Sequence, residues 1–212
     1  MKKLLVLFGI LAGCIGAAQT PLKPLALPFY ENFENITGSF TGNTTCVNCD
    51  SLVHWSFKTT NQTYGRLSFN LGFSNTSIGA TDNKGASMDG TWSSFITDSL
   101  IGTFDMSNYH VDSSGYVGFS FYHLDHSSVD YLNELVWVRG SSADPWISIY
   151  NLFKNSVQDQ WVYSGYLDVV RYLKRNNQNF SSTFQVKFGH QGAGYISTST
   201  PSFKDGRTID DV

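Results

Sequence analysis

Apolar residues occupy alternate positions over much of this chain, and that alternation predicts strands. Val117, Phe119 and Phe121 alternate with small or polar side chains, residues 135–138 are β-branched and aromatic, and residues 146–152 alternate again. A period of two turns one face of each segment toward a core. Residues 115–152 therefore read as a three-strand meander, with a long turn at 123–133 rich in His and acid and a second at 140–145 built of Gly, Ser, Asp and Pro. A sheet with one buried and one wet face needs a second sheet to cover it. The same period marks Trp55 and Phe57, then Leu67, Phe69, Leu71 and Phe73, the stretch 86–106, and Phe184, Val186 and Phe188. Residues 29–34 read as the first strand and 208–212 as the start of a last one. Residues 35–50, 75–85 and 189–206 are rich in Gly, Asn, Ser and Thr and read as loops. One helix is expected over 167–175, with Leu167, Val170 and Leu173 along one side. The expected fold class is all-β, a two-sheet antiparallel jelly-roll sandwich with one short helix.

Composition narrows this picture. The chain is 15% charged and 15% aromatic with 19 Gly, a balance suited to strands and tight turns. Its net charge of -3 offers no broad basic surface, which argues against nucleic acid or anionic membrane as partner. At 212 residues one domain is expected. Lys2 and Lys3, an apolar run over 4–11 and small residues after it form a secretory signal rather than a membrane span. Processing has two readings: removal of 1–18 after Gly16-Ala17-Ala18, or a lipoprotein signal 1–13 that leaves a lipidated Cys14. Either reading places the protein outside the cell or at its surface, with an outer-membrane lipid anchor under the second and no transmembrane segment after the signal is removed. Residues 19–28 carry Pro21, Pro24 and Pro28 and form an extended lead-in to a module over 29–212. Cys46 and Cys49 are the only CxxC pair, and in an oxidising compartment they are expected to form a disulfide.

Three segments carry a resemblance: Pro28-Phe29-Tyr30-Glu31-Asn32-Phe33-Glu34, Val136-Trp137-Val138-Arg139-Gly140 with Asp144-Pro145-Trp146 after it, and Gly206-Arg207-Thr208-Ile209-Asp210-Asp211-Val212. The chain resembles the MAM-like jelly-roll modules, including the cleaved-adhesin and choice-of-anchor J types, of bacterial surface proteins that use type IX secretion. The resemblance implies that first and last strands pair and that carboxylates from both, Glu31 or Glu34 with Asp210 or Asp211, hold a structural calcium. It also implies a longer polypeptide, with further domains after Val212. Calcium takes oxygen ligands from carboxylates, amides and carbonyls, which fits these acids if the termini meet. The alternative is that Glu31 pairs with Arg207 and the two Asp residues merely end a strand.

The richest set of ligand types is His123, Asp125, His126 and Asp130, followed by Glu134. His123 and Asp125 share a strand face, so metal ligation is geometrically open, while the spacing matches no specific metal motif. These residues and Trp146 are the candidate ligand contacts; Trp92, Trp161, Tyr163 and Tyr166 are further rings that can stack on a sugar. No nucleophile elbow, phosphate loop or closely spaced carboxylate pair is present, so no catalytic residue is assigned. The expected function is a non-catalytic extracellular module for adhesion or for binding a glycan or surface protein. The alternatives are a secreted hydrolase or lyase using the 123–134 loop, or a structural spacer.

Overall fold

The computed structural model describes residues 19–36, 38–69, 84–91, 94–127, 129, 131–196 and 205–212. Both readings of the leader with Cys14, and Leu71, Phe73, Trp92 and Asp130, lie outside the described residues.

The strands, in chain order, are β1 (Gly38–Thr41), β2 (Thr44–Cys49), β3 (Val53–Thr59), β4 (Gly65–Phe69), β5 (Ala86–Gly90), β6 (Phe95–Phe104), β7 (Gly118–Phe119), β8 (Tyr122–Asp125), β9 (Leu135–Arg139), β10 (Ile147–Asn151), β11 (Trp161–Tyr163), β12 (Leu167–Asp168), β13 (Phe184–Ala193) and β14 (Arg207–Asp210). One sheet runs β1-β4-β5-β14-β8-β11 and the other β10-β9-β13-β6-β3-β2, while β12 and β7 form a separate ribbon. Every described strand pairing is antiparallel. The chain is thus a two-sheet β-sandwich.

Its spine is β13 paired with β6, in register from Phe184 opposite Phe104 to Ala193 opposite Phe95. The inward positions of both strands alternate with half-buried ones, as the sequence period requires. Trp55, Phe57, Phe121 and Phe188 are fully buried between the sheets. Their rings meet edge to face or tilted, Phe121 with Phe188 at 5.0 Å and Trp55 with Phe33 at 5.4 Å, the geometry that aromatic quadrupoles favour. Gly102 lies under Trp55: a Cβ there would come within 2.9 Å of both the Trp55 and Phe104 rings. Only the missing side chain lets the indole cross β6.

Several expectations change. The 115–152 meander is divided between sheets, because β8 pairs with β14 in one sheet and β9 and β10 pair with each other in the other. The segment between them carries buried charge, and it crosses from sheet to sheet. Residues 29–34 form no strand. Phe33 has φ 56°, which breaks an extended run. The supposed loop 35–50 instead contains β1 and β2, edge strands whose polar residues face solvent. The helix, α1 (Val169–Arg175), starts two positions later than expected because Leu167 and Asp168 belong to β12. Asp168 caps it by accepting from the Arg171 N–H at 3.0 Å, and Lys174 and Arg175 suit its C-terminal end. Cys46 and Cys49 form the expected pair, Cα atoms 5.6 Å apart, at an irregularity of register in β2. Among the described residues no helix is long and apolar enough to cross a membrane.

Candidate functional site

The antiparallel strands give the sandwich two chemically different ends. At one end the inward positions of β6, β8, β13 and β14 are Asp98, Asp125, His190 and Arg207; toward the other lie Phe104, Phe121 just ahead of β8, Phe184 and Ile209.

The charged end is built around Arg207, which is fully buried and sits directly opposite Asp125 across β14 and β8. Its Nη2 donates to Glu134 Oε2 at 2.8 Å and lies 3.1 Å from Asp125 Oδ2. Asp125 is held in place by the Ser127 N–H at 2.9 Å and the Ser156 hydroxyl at 2.8 Å. Across the interface His190 faces Asp98 in the β13–β6 register. Asp205, just ahead of β14, accepts from the Ala193 N–H at 2.6 Å. Several buried polar atoms here have no hydrogen-bond partner: both ring nitrogens of His190, both carboxylate oxygens of Asp98, Glu134 Oε1, Asp205 Oδ1, and Nε and Nη1 of Arg207. Such groups are costly to bury and uncommon in folded proteins.

Burial decides how these groups titrate. It pushes Asp98 up to about 7, against the pull of His190. It opposes charge on His190 too, yet the Glu134, Asp205 and Asp98 carboxylates together outweigh it and raise the imidazole pKa. His123, buried with Nε2 3.3 Å from the Tyr150 hydroxyl, is pushed down to about 3, first by burial and then by Arg207.

The apolar end opens into a cavity of about 780 Å³. Its floor includes Phe104, Phe119 and Phe184, and its rim carries Tyr30, Tyr116, Tyr163 and Tyr166. Tyr116 is 90% exposed and Tyr30 61%, unusual for large rings on a folded surface. Tyr122 and Tyr163 lie against each other at 5.1 Å. Among the described residues the one side-chain carboxylate lining it is Asp211, which accepts a hydrogen bond from the Tyr30 hydroxyl.

The segments around Glu31 and Val212 touch, their backbones exchanging two bonds of 2.9 Å, but not as the paired first and last strands expected, since 29–34 form no strand and β14 pairs with β5 and β8. Their carboxylates do not gather. Glu31 accepts from the Phe33 N–H and Asn48, Glu34 from the Lys84 N–H, Asp210 from the Asp211 N–H, and Asp211 from Tyr30. Among the described residues the one group of three ligand-type side chains within 4.8 Å is Glu134, His190 and Asp205. The alternative ion pair of Glu31 with Arg207 does not form, since Arg207 turns inward to Asp125 and Glu134.

His123, Asp125 and His126 are buried rather than looped into solvent, and His126 Nε2 lies 2.9 Å from the Thr208 hydroxyl. None of the three lines the cavity. Trp146 is half-buried on the outer face, its ring capped by Arg139 at 4.2 Å and Lys187 at 4.5 Å. Of the rings suggested for stacking, Tyr163 and Tyr166 do reach the cavity rim.

The sequence reading missed His190, Asp98, Asp205 and Arg207 as an inward cluster, although parity held the signal. Phe184, Val186 and Phe188 place His190 on the core face, and Leu100 and Phe104 do the same for Asp98. No family model, curated protein or solved structure matches this chain.

Proposed function

We propose that the chain is a non-catalytic binding module, acting outside the cell within a larger surface or secreted protein, whose tyrosine-rimmed cavity takes a neutral glycan. The cavity carries this reading. Its volume falls in the range of about 300–1,000 Å³ usual for small-ligand sites, and its rim offers ring faces for the apolar side of a sugar and phenol hydroxyls for the polar one. A charged ligand would find little to pair with there. An acid–base pair for hydrolysis is missing from the described lining, and Asp98 and His123, whose pKa values burial shifts strongly, do not belong to it.

A glycan array followed by calorimetry on the full chain tests this. Tyr116→Ala and Tyr166→Ala, both at exposed positions, are each expected to weaken binding about tenfold, in line with truncation of a stacked aromatic anchor costing more than about 1 kcal/mol. An array without reproducible binders, or affinity unchanged in the double variant, would reject the glycan; a protein ligand captured through the same tyrosines would replace it.

Calcium belongs to this reading only at the junction where the backbones of Glu31 and Val212 bond to each other, with Asp211 beside it in the chain. Calcium added after chelation is then expected to raise the melting temperature by mass action. A melt indifferent to calcium would leave that junction held by hydrogen bonds alone.

A further inference from the structure

The charged layer holds more acid than its cations balance. Among the described residues Asp98, Asp125, Glu134 and Asp205 face one permanent cation, Arg207, and one imidazole, His190. With every acid ionised, even a protonated His190 leaves an excess of two negative charges, which an interior of low polarity carries only at high cost.

The unpartnered atoms are also gathered. One ligand atom from each of Glu134, His190 and Asp205 lies within 4.8 Å of the other two. Each acid has one oxygen fixed and the other unpartnered: Glu134 Oε2 is held by Arg207 at 2.8 Å, leaving Oε1, and Asp205 Oδ2 by the Ala193 N–H at 2.6 Å, leaving Oδ1. Ligands to a metal are oriented in this way, by hydrogen bonds to their non-coordinating atoms.

Spacing separates a direct ion pair from a shared cation. A charged N–H···O bond closes to about 2.7–2.9 Å. His190 Nδ1 and Glu134 Oε1 are 3.5 Å apart, well beyond that. Two ligands of one tetrahedral ion, with bonds of about 2.0–2.2 Å, are held roughly 3.3–3.5 Å from each other. An imidazole among the ligands selects a first-row transition ion over calcium, which takes oxygen.

We infer that Glu134, His190 and Asp205 form a buried structural site for a divalent transition ion, zinc above all, with the Asp98 carboxylate as the charge behind the imidazole. The ion joins β13, the segment leading into β14 and the residue ahead of β9, so it staples the two sheets at the end away from the cavity. Its binding energy adds to that of folding.

The test uses the full chain, stripped with chelator and dialysed. Zinc is expected to bind at one ion per chain and to raise the melting temperature, and cobalt in its place to give the visible absorption of a tetrahedral site with nitrogen and oxygen ligands. His190→Gln and Asp205→Asn should abolish both signals. Asp98→Asn should keep the stoichiometry and weaken affinity about 10- to 100-fold, the usual effect of losing a supporting carboxylate. If the ligand variants do not fold, X-ray absorption at the zinc edge of the unaltered protein decides, one imidazole with oxygen donors being the expected shell. Failure to bind zinc or cobalt stoichiometrically would overturn the site. Binding retained in both folded ligand variants, a shell lacking imidazole, or stabilisation by calcium and not by zinc would do so equally.

Discussion

Arg207→Met is expected to lose about 3–5 kcal/mol of stability, the usual consequence of removing one partner from a buried ion pair. The guanidinium is fully enclosed and is the cation bonded to both Asp125 and Glu134. Methionine fills much of the same space and leaves two carboxylates facing each other without a counter-charge. Since whole domains are stable by only about 5–15 kcal/mol, this is a large share of the total, and the variant should melt well below the parent. Neutralising the acids should reverse this: Asp125→Asn with Glu134→Gln in the Arg207→Met background is expected to recover most of the loss, because the cost lies in unpaired charge rather than in missing contacts. Urea unfolding of the single and triple variants, carried out in chelator because Glu134 is also one of the inferred ligands, gives both quantities. A single variant within about 1 kcal/mol of the parent would refute the importance of the pair, since that is the scale of an exposed ion pair.

Acid should expose the second large effect, at His123. Its folded-state pKa of about 3 lies below the ordinary 6.5, so between those values the unfolded chain holds a proton that the folded one does not. Stability contributed by the neutral imidazole is present above about pH 6.5 and is lost as pH falls toward 3. At about 1.4 kcal/mol per pH unit, the loss is on the order of 3–5 kcal/mol. Asp98 works in the opposite sense. Raised to about 7 from 3.8, it favours the folded state below that window and loses this contribution as pH climbs through it. The contributions of these two groups offset one another over most of the acid range.

His123→Phe removes one arm of this balance. Phenylalanine suits the surroundings, with the Phe121 and Tyr150 rings both 5.7 Å away. Relative to the parent, the variant should gain stability steadily from pH 7 down to pH 4. Denaturant titrations in chelator at several pH values would measure it; parallel curves for variant and parent would mean that His123 does not govern acid stability.

Strands whose alternation fills one face with large apolar groups were legible in the sequence. Trp55 with Phe57, Leu67 with Phe69, and Phe184 with Val186 and Phe188 all fall on strands, since period-two burial is a local property. β1 and β2 were not legible, because edge strands made of Gly, Ser, Thr and Asn are held by backbone pairing that leaves little trace in composition. The 123–134 segment looked like a wet, ligand-bearing loop because His and acid normally seek water. Its His123, Asp125, His126 and Glu134 are buried, the acids because Arg207, more than 70 residues away in sequence, supplies the charge they need. Asp98 and His190 raise the same difficulty, since each is affordable inside only if the other is there.

The sequence by itself determined that this chain is a two-sheet β-sandwich with Trp55 and its alternating Phe residues in the core and a CxxC pair close enough to bond. Periodic burial and local geometry are written residue by residue, and they survive without knowledge of neighbours. Tertiary structure alone decided which face of each strand carries charge inward, which sheet β8 joins, and that tyrosines from three distant segments ring one cavity. Those outcomes depend on pairs of residues far apart in the chain, whose mutual electrostatic and packing energies do not exist until the sheets have closed.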